Sequence, residues 1–274
     1  MKHFILSVPP GPDGIIKLSD EDYHYLFRVR RLKTGMCFNA VLPGGKETLV
    51  SILSTAHNTL TGKCAAAEAA GEAPHKQAPA FARALPPIAL FQSLPKGNKM
   101  DLIVRQAAEG AISLIVPFQS EHSIARPEKA KVKRWERIVK EARQQSGSSV
   151  ETKILPPCDF SGLIELWASK KKEYSRPLGI LLHEEALENG SFHDYLDSCP
   201  DFVVLAVGPE GGFSPREIST FITAGFRPLL LGNTVLRTET AALYGTAAVR
   251  IILLENKTWT RGLSGSYSSK SPSI

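Results

Sequence analysis

Short apolar runs alternate with helical patterns over most of this 274-residue chain, between residues 87 and 254. The runs have the length and the apolar character of buried strands. They fall at 88–92, 112–116, 178–182, 202–207 and 228–232. Continuous apolar strands separated by helices indicate a parallel sheet that is covered on both faces. We therefore predict an α/β fold for this part of the chain.

The first 72 residues have a different sequence pattern, with short strand-like segments in place of alternating strands and helices. Three strand-like segments, at 36–42, 47–54 and 59–66, follow one short helix and are separated by turn residues, which fits a small β-rich barrel or sandwich. A proline-rich stretch at 73–86 with little periodicity predicts a linker. The polar, serine-rich residues 255–274 predict a disordered tail.

Charge, cysteine spacing and the length of the apolar runs limit the classes of function that this chain can have. The chain has 33 Lys plus Arg against 27 Asp plus Glu, a formal charge of +6, which permits a polyanionic partner without requiring one. Its four cysteines lie far apart without CxxC spacing, so neither a metal site nor a disulfide framework is suggested. No apolar run reaches the roughly 18 residues that span a bilayer, and we expect a cytoplasmic protein with no membrane partner.

The segment VGPEGGF at 207–213 joins one predicted strand to a helix. Glycine loops in that position usually hold phosphate, because free amides and the helix dipole attract an anion. Here Pro209 lacks an amide, Glu210 places a carboxylate where the anion would sit, and the G-x-G-x-x-G spacing is missing. The segment instead fits a neutral or cationic ligand with a flat ring, such as an S-adenosyl group. The alternative is a tight turn against a neighbouring helix.

Signals for helix starts follow two of the strands. Ser214, Pro215 and Glu217 predict a capped helix start directly after the glycine loop. Thr238 is placed to cap a second helix, and Arg237 precedes it. An arginine in that position either clamps a carboxylate or holds charge on a substrate.

Three loops at predicted strand ends are expected to form one site. They are LLHEE at 181–185, VGPEGGF at 207–213 and LLGNTVLRTETAA at 230–242. In open parallel sheets, ligands bind beyond the carboxyl ends of the strands, where such loops gather.

Four segments carry a resemblance to a known family. They are LPKGNKMDLIVRQAAEGAISLIVPFQSEHS (94–123), RWERIVKEARQQSG (134–147), VGPEGGFSPREI (207–218) and LGNTVLRTETAALY (231–244). They resemble the four blocks of the bacterial 16S ribosomal RNA uracil-N3 methyltransferases of the SPOUT superfamily. The similarity extends from HYLFRVRRLKTG (24–35) almost to residue 254.

The resemblance implies a fold and an activity. It implies a PUA-like RNA-binding β-barrel at 1–72 and a SPOUT α/β domain at 87–254 that ends in a trefoil knot. It also implies a homodimer that uses S-adenosylmethionine to methylate N3 of one uridine in 16S ribosomal RNA of the small ribosomal subunit.

The resemblance also assigns residues. The cofactor-binding positions are Leu182, His183, Gly208, Pro209, Glu210, Gly211, Gly212, Leu231, Gly232, Val235, Leu236, Arg237 and Thr238. Arg237 and Glu210 are the catalytic candidates: Arg237 would stabilise negative charge on the base, and Glu210 either accepts the proton or holds the loop. The RNA-binding candidates are Arg28, Arg30, Arg31, Lys33, Lys133, Arg137 and Lys140, which alternatively form solvated faces.

Three positions depart from the family pattern. Ala111, next to Gly110, stands where the family has glycine, so the end of that helix is expected to shift. Ser148 and His122 stand where the family has arginine, which affects RNA contacts more than cofactor binding.

Three other functions stay open at this stage. They are methylation of another base or of a ribose, RNA binding without catalysis, and nucleotide-dependent dehydrogenation. The missing dinucleotide fingerprint disfavours the last of these.

Overall fold

The computed structural model describes residues 4–6, 8–43, 46–65, 85–126, 130–188 and 190–259. These residues fall into two compact units. The first unit takes its residues from 1–75, 101–113 and 129–154, and the second from 76–100, 114–128 and 155–274. None of the described helices is both long and apolar enough to cross a membrane.

Strands and helices are numbered in chain order. The strands are β1 Phe4–Ile5, β2 Ile15–Leu18, β3 Cys37–Val41, β4 Glu47–Ala56, β5 Thr59–Cys64, β6 Ile88–Ser93, β7 Leu114–Gln119, β8 Lys153–Ile154, β9 Cys158–Asp159, β10 Pro177–Leu182, β11 Phe202–Val207 and β12 Phe226–Leu229. The helices are α1 Asp20–His24, α2 Lys99–Glu109, α3 Ala130–Ser146, α4 Phe160–Glu173, α5 Phe192–Leu196, α6 Pro215–Thr223 and α7 Thr238–Trp259, and a π-helical turn covers Tyr25–Val29.

In the first unit, a five-stranded sheet has the order β1-β3-β4-β5-β2. Only the β1–β3 pair is parallel among the pairings described for this sheet. Its buried face carries a core that includes Phe4, Leu26 and Phe38. Helix α3 packs on β1 and buries an apolar side built from Trp135, Ile138, Val139 and Ala142, as its sequence pattern predicts.

In the second unit, parallel strands follow the order β12-β10-β11-β6-β7, and β9 pairs with β7. Every residue of β6 and β11 is buried, as expected for strands covered on both faces. An aromatic cluster on one face includes Phe91, Phe118, Phe213, Phe221 and Phe226. The predicted α/β fold is confirmed.

Two predicted strands lie at shifted positions. The strand predicted at 112–116 is Leu114–Gln119, because Ile112 still closes the end of α2 through its amide bond to the Ala107 carbonyl (2.9 Å). The strand predicted at 228–232 is Phe226–Leu229, because residues 230–232 leave the sheet as a loop.

The structure describes only parts of the predicted linker at 73–86 and of the predicted tail at 255–274. Helix α7 continues to Trp259, so the residues from 255 to 259 are helical where a tail was predicted. The remainder of the predicted tail, 260–274, and residues 73–84 of the predicted linker lie outside the described residues.

The end of α2 shows what the replaced family glycine does. The Ile112 amide bonds to Ala107, and the Ala111 amide bonds to the Ala108 carbonyl (3.2 Å). This pair of bonds is a Schellman motif, whose penultimate position usually holds glycine in the left-handed conformation. Ala111 occupies it with φ 58°. The expected shift of the helix end is therefore wrong, and alanine takes the strained position instead.

Candidate active site

A cavity of about 250 Å³ lies in the second unit, at the carboxyl ends of β10, β11 and β12. The three loops singled out in the sequence line it together. Its lining residues are Leu182, His183, Glu184, Val207, Gly208, Pro209, Glu210, Gly212, Phe213, Leu230, Leu231, Thr234, Val235, Leu236, Arg237, Thr238 and Ala241.

Most of the predicted cofactor positions are among these lining residues; Gly211 and Gly232 are not. Gly211 lies against another loop, since a Cβ atom built on it would be 3.2 Å from the Cβ of His122. Gly212 adopts φ 68°, a left-handed conformation that favours glycine. Backbone geometry thus explains Gly212 and close packing explains Gly211.

His122 holds the glycine loop from the side. Its Nδ1 lies 3.0 Å from the Gly211 carbonyl oxygen and 3.2 Å from that of Gly212. Both partners can only accept, so Nδ1 carries the proton. The residue that departs from the family pattern therefore contacts the cavity loop, whereas the sequence interpretation associated it with RNA.

Glu210 is engaged by two lysines. Its carboxylate accepts from Lys99 Nζ (2.6 Å) and from the backbone amide of Lys96 (3.2 Å). Partial burial alone would raise the pKa of this carboxyl, but the hydrogen bonds, led by that from Lys99, outweigh it and hold the pKa below the ordinary value. The same contact raises the pKa of Lys99. A carboxylate held in this way is a weak proton acceptor and a good anchor for the loop.

Thr238 does not act as the predicted cap of α7, because it is the first residue of the helix and its hydroxyl is used elsewhere. The hydroxyl donates to the Gly208 carbonyl (2.6 Å) and accepts from Gln92 Nε2 (3.0 Å). Gln92 was not predicted as a site residue, because it lies inside an apolar strand and belongs to no recognised motif.

Arg237 is exposed at the cavity, and no ion pair to it is found among the described residues. Among the described residues, no carboxylate lies where Arg237 would clamp it. Glu239 is two residues further along the chain, and its carboxylate oxygen Oε2 lies 3.5 Å from Lys99 Nζ.

His183 and Glu184 form the wall after β10. His183 Nδ1 lies 3.0 Å from the backbone amide of Glu185 and 3.2 Å from its carbonyl oxygen, which ties the ring to the loop after β10. Glu184 lines the cavity beside Gly212, where its Oε1 would be 3.8 Å from a Cβ on that glycine. The sequence interpretation did not select Glu184, although it lies within the LLHEE loop.

The predicted RNA-binding residues all lie in the first unit. Arg28, Arg31, Lys33, Lys133 and Arg137 are exposed, and Arg30 and Lys140 are half-buried.

Two of these cations already have partners. Lys140 pairs with Asp22 (2.8 Å), which joins α3 to α1, and Arg137 forms an exposed i,i+4 pair with Glu141 (3.4 Å). No cluster of possible metal ligands occurs in the part of the chain that the structure describes.

Comparisons with known proteins identify the family. The sequence pattern of the RNA methyltransferase domain matches residues 83–250. Ribosomal RNA small subunit methyltransferase E of Synechocystis is 30% identical over 244 residues, which cover 88% of this chain and 74% of that protein. This chain belongs to the ribosomal RNA small subunit methyltransferase E family. The sequence-based prediction of an RNA methyltransferase of this type is confirmed.

Two solved structures share the fold of this chain. A methyltransferase from Legionella pneumophila with SAM bound has a TM-score of 0.71 and 25% identity, covering 92% of this chain and 98% of that one. Ribosomal RNA small subunit methyltransferase E from Neisseria gonorrhoeae, also with S-adenosylmethionine, has a TM-score of 0.72, 24% identity and the same coverage.

Proposed function

We propose that this chain transfers the methyl group of S-adenosylmethionine to N3 of a uridine in 16S ribosomal RNA of the small subunit. The observation that carries the proposal is the cavity at the strand ends, lined by all three loops of a ribosomal RNA small subunit methyltransferase E chain. The cofactor follows from the family and from its relatives with the cofactor bound.

The chemistry of the cavity fits this cofactor. Apolar side chains, among them Leu182, Val207 and Leu231, suit an adenine ring, while Glu184 supplies a carboxylate toward a cation. A phosphorylated ligand fits poorly, because Pro209 lacks an amide and Arg237 is the only lysine or arginine among the lining residues. When bound, the cofactor supplies an electrophilic methyl group on a sulfonium.

We assign the lining members of the predicted set to cofactor binding. The walls would be formed by Leu182 and His183, by Gly208, Pro209, Glu210 and Gly212, and by Leu231, Val235, Leu236, Arg237 and Thr238. Gly211 and Gly232 would act through the shape of their loops.

Methylation at N3 requires loss of the imide proton, because the lone pair at this nitrogen is available only after ionisation. The protein then has to orient the base and stabilise its negative charge. We assign that charge stabilisation to Arg237, which is exposed at the cavity and has no ion-pair partner in the described structure. We assign Glu210 to holding the loop, since Lys99 already binds its carboxylate.

RNA would be held by the first unit. We infer a PUA-like barrel at 1–72, joined by a linker at 73–86 to the SPOUT domain with its trefoil knot at 87–254. The exposed cations of the first unit, Arg28, Arg31, Lys33 and Lys133, are the candidate phosphate contacts. The protein would act in the cytoplasm, where ribosomal subunits are assembled.

A second copy of the chain would cover helix α7. Tyr244 and Ile251 are seven residues apart, so they lie on one face, and they are 57% and 52% exposed. Exposed apolar side chains on one helix face support the homodimer implied by the family. Light scattering of the purified protein tests this part of the proposal.

Two measurements test the function. Titration calorimetry with S-adenosylmethionine should show one site per chain, and a protein that does not bind the cofactor contradicts the proposal. Mass mapping of 16S ribosomal RNA from cells with and without the protein should show one methyluridine that depends on it.

The mapping also separates the alternatives. A methyl group on another nucleoside would correct the target while keeping the reaction class. RNA binding with no change in modification would instead indicate a binding module.

A further inference from the structure

Gln92, near the carboxyl end of β6, is completely buried in a strand of otherwise mostly apolar residues. Its side-chain amide makes two hydrogen bonds, to the Ser93 carbonyl (2.9 Å) and to the Thr238 hydroxyl (3.0 Å). Both donor hydrogens of the amide are therefore used.

The direction of this chain of hydrogen bonds is fixed. The Gly208 carbonyl can only accept, so the single hydroxyl proton of Thr238 points to it across 2.6 Å. Thr238 must then accept from Gln92 Nε2. Turning the amide over would put its oxygen against the oxygens of both Ser93 and Thr238.

These hydrogen bonds connect two segments that line the cavity, and they start from a residue outside the lining. Gly208 belongs to the loop after β11 and Thr238 begins α7, and both line the cavity. Gln92 belongs to a neighbouring strand and is not a lining residue. It therefore contacts a cavity residue without being placed to contact a bound ligand itself.

We propose that Gln92 is a positioning residue of the cofactor site: by donating to Thr238 it fixes the Gly208 carbonyl and the spacing of the two walls. This inference rests on the proposed function of the cavity. Loss of the amide should release Gly208 and the start of α7 from each other.

The cost of the arrangement supports a functional role. Gln92 Oε1 is buried and has no hydrogen-bond partner in the described structure. An unsatisfied buried acceptor destabilises a fold, and an apolar residue of similar size would avoid it. An unsatisfied buried group calls for a specific explanation, and the contact that the same amide makes to the cavity residue Thr238 supplies one.

Three variants and one control separate positioning from general packing. Gln92→Leu removes both donors at similar volume, and Thr238→Val removes the hydroxyl at similar shape. Thr238→Ser restores the hydroxyl. The control is Ser120→Ala, which removes a buried hydroxyl bonded to the hydroxyls of Ser93 and Ser123 but leaves the bonds from Gln92 to Thr238 and from Thr238 to Gly208 in place.

The first readout is the calorimetric Kd for S-adenosylmethionine. Gln92→Leu and Thr238→Val should each bind about tenfold more weakly, the effect of losing roughly one net hydrogen bond. Thr238→Ser should bind more tightly than Thr238→Val, and Ser120→Ala should bind like the unmodified protein. The KM for the cofactor should rise by more than kcat falls.

The second readout needs no cofactor. Hydrogen exchange of the amides at 208, 210–212 and 238–241 should be faster in Gln92→Leu than in the unmodified protein or in Ser120→Ala. Thermal unfolding shows whether each variant is folded. If Gln92→Leu does not fold, the Thr238→Val and Thr238→Ser pair decides.

Unchanged affinity and unchanged exchange in Gln92→Leu would overturn the inference, as would an equal loss of affinity in Ser120→Ala. A failure of the proposed function looks different. In that case the unmodified protein does not bind S-adenosylmethionine, while the exchange comparison still decides whether Gln92 holds the two walls.

Discussion

Helices α6 and α7 both follow a loop that lines the cavity, yet they begin in different ways. At α6, the Ser214 hydroxyl accepts from the Glu217 amide and the Glu217 carboxylate accepts from the Ser214 amide, a complete capping box. At α7, the Thr238 hydroxyl bonds to Gly208 and Gln92, both remote in sequence. The cap of α6 is therefore made within its own first turn, although the Glu217 carboxylate also accepts from the remote Glu121 amide (2.9 Å). At α7, both of these bonds of the Thr238 hydroxyl go to remote residues, so its start depends on the assembled sheet.

The two helix starts should therefore differ in what a substitution changes, namely protein stability at α6 and ligand binding or rate at α7. A locally capped helix keeps its start whatever the cavity contains. A helix whose first hydroxyl is bonded to a cavity loop has its start coupled to that loop. We therefore expect substitutions at the start of α6 to change stability, and those at the start of α7 to change ligand binding or rate.

The largest contrast should come from the two exposed arginines beside these helix starts, Arg237 and Arg216. Arg237→Ala should lower the methylation rate by about a hundredfold, since one well-aimed donor to developing charge contributes roughly 3 kcal/mol. Cofactor affinity should change much less. Arg216→Ala, the matched control on α6, should leave the rate unchanged. A loss confined to cofactor binding in Arg237→Ala would make the residue part of the cofactor wall instead.

Packing against the sheet should give the next largest effect. A Cβ atom on Gly245 of α7 would lie 2.5 Å from Leu205 Cδ2 and 2.8 Å from Leu182 Cδ1. Both leucines are buried, so Gly245→Ala should lower the free energy of unfolding by about 1–3 kcal/mol. Urea denaturation measures it.

The exposed Ser219 of α6 supplies the matched control. Ser219→Ala should change the free energy of unfolding by no more than about 0.5 kcal/mol. Equal small effects at Gly245 and Ser219 would show that α7 can move away from the sheet, which contradicts close packing of Gly245 against Leu205 and Leu182.

The capping box predicts a smaller effect with a different signature. Ser214→Ala should lower the free energy of unfolding by about 1 kcal/mol, because one amide at the start of α6 loses its acceptor. The Kd for S-adenosylmethionine should stay the same. Urea denaturation and calorimetry on the same sample check both, and a weakened Kd with unchanged stability would reverse the comparison between the two helices.

The same contrast explains what the sequence could predict. The capping box, the apolar strands and the glycine loop are local patterns, and the structure contains all of them. The rule that loops gather at the carboxyl ends of parallel strands then predicts one site from three separate segments. Most of the predicted cofactor set, including Gly208 and Arg237, accordingly lines one cavity.

Partners that are remote in sequence could not be predicted in this way. The bond from Gln92 to Thr238 joins residues 146 positions apart, and the pair of Lys99 with Glu210 joins residues 111 apart. Which hydroxyl caps a helix and which bonds to a loop depends on these partners. For the same reason the role of His122 was assigned to RNA from its place in a motif, while the structure shows it against Gly211.

The end of α2 offers a third helix terminus on which local rules can be tested. Ala111 adopts φ 58° in a position that favours glycine. The left-handed conformation costs alanine roughly 1–2 kcal/mol, and glycine recovers part of it after its own entropy cost. Ala111→Gly should therefore raise the free energy of unfolding by about 0.5–1 kcal/mol in urea. A loss of stability would show that the backbone relaxes around alanine.

The smallest expected effect on stability concerns the ion pairs of Lys99, which lies between the starts of α6 and α7. Its Nζ lies 2.6 Å from Glu210 in the loop before α6 and 3.5 Å from Glu239 in the first turn of α7. The Lys99 side chain is about a third exposed in both pairs, so solvent screens the charges. We therefore expect each pair to contribute about 0.5 kcal/mol or less to the free energy of unfolding.

Its pH dependence has a definite sign. The pKa of Glu210 is lower in the folded protein than its ordinary value of 4.5. The pair therefore stabilises the fold fully above that value, and this stabilisation is lost as the pH falls through the lower pKa. Glu210→Gln should be slightly less stable than the unmodified protein at neutral pH and equally stable in acid, as measured by urea denaturation at both. A difference that persists in acid would mean that the side chain holds the loop by packing, and the two helix starts would then not share a cation.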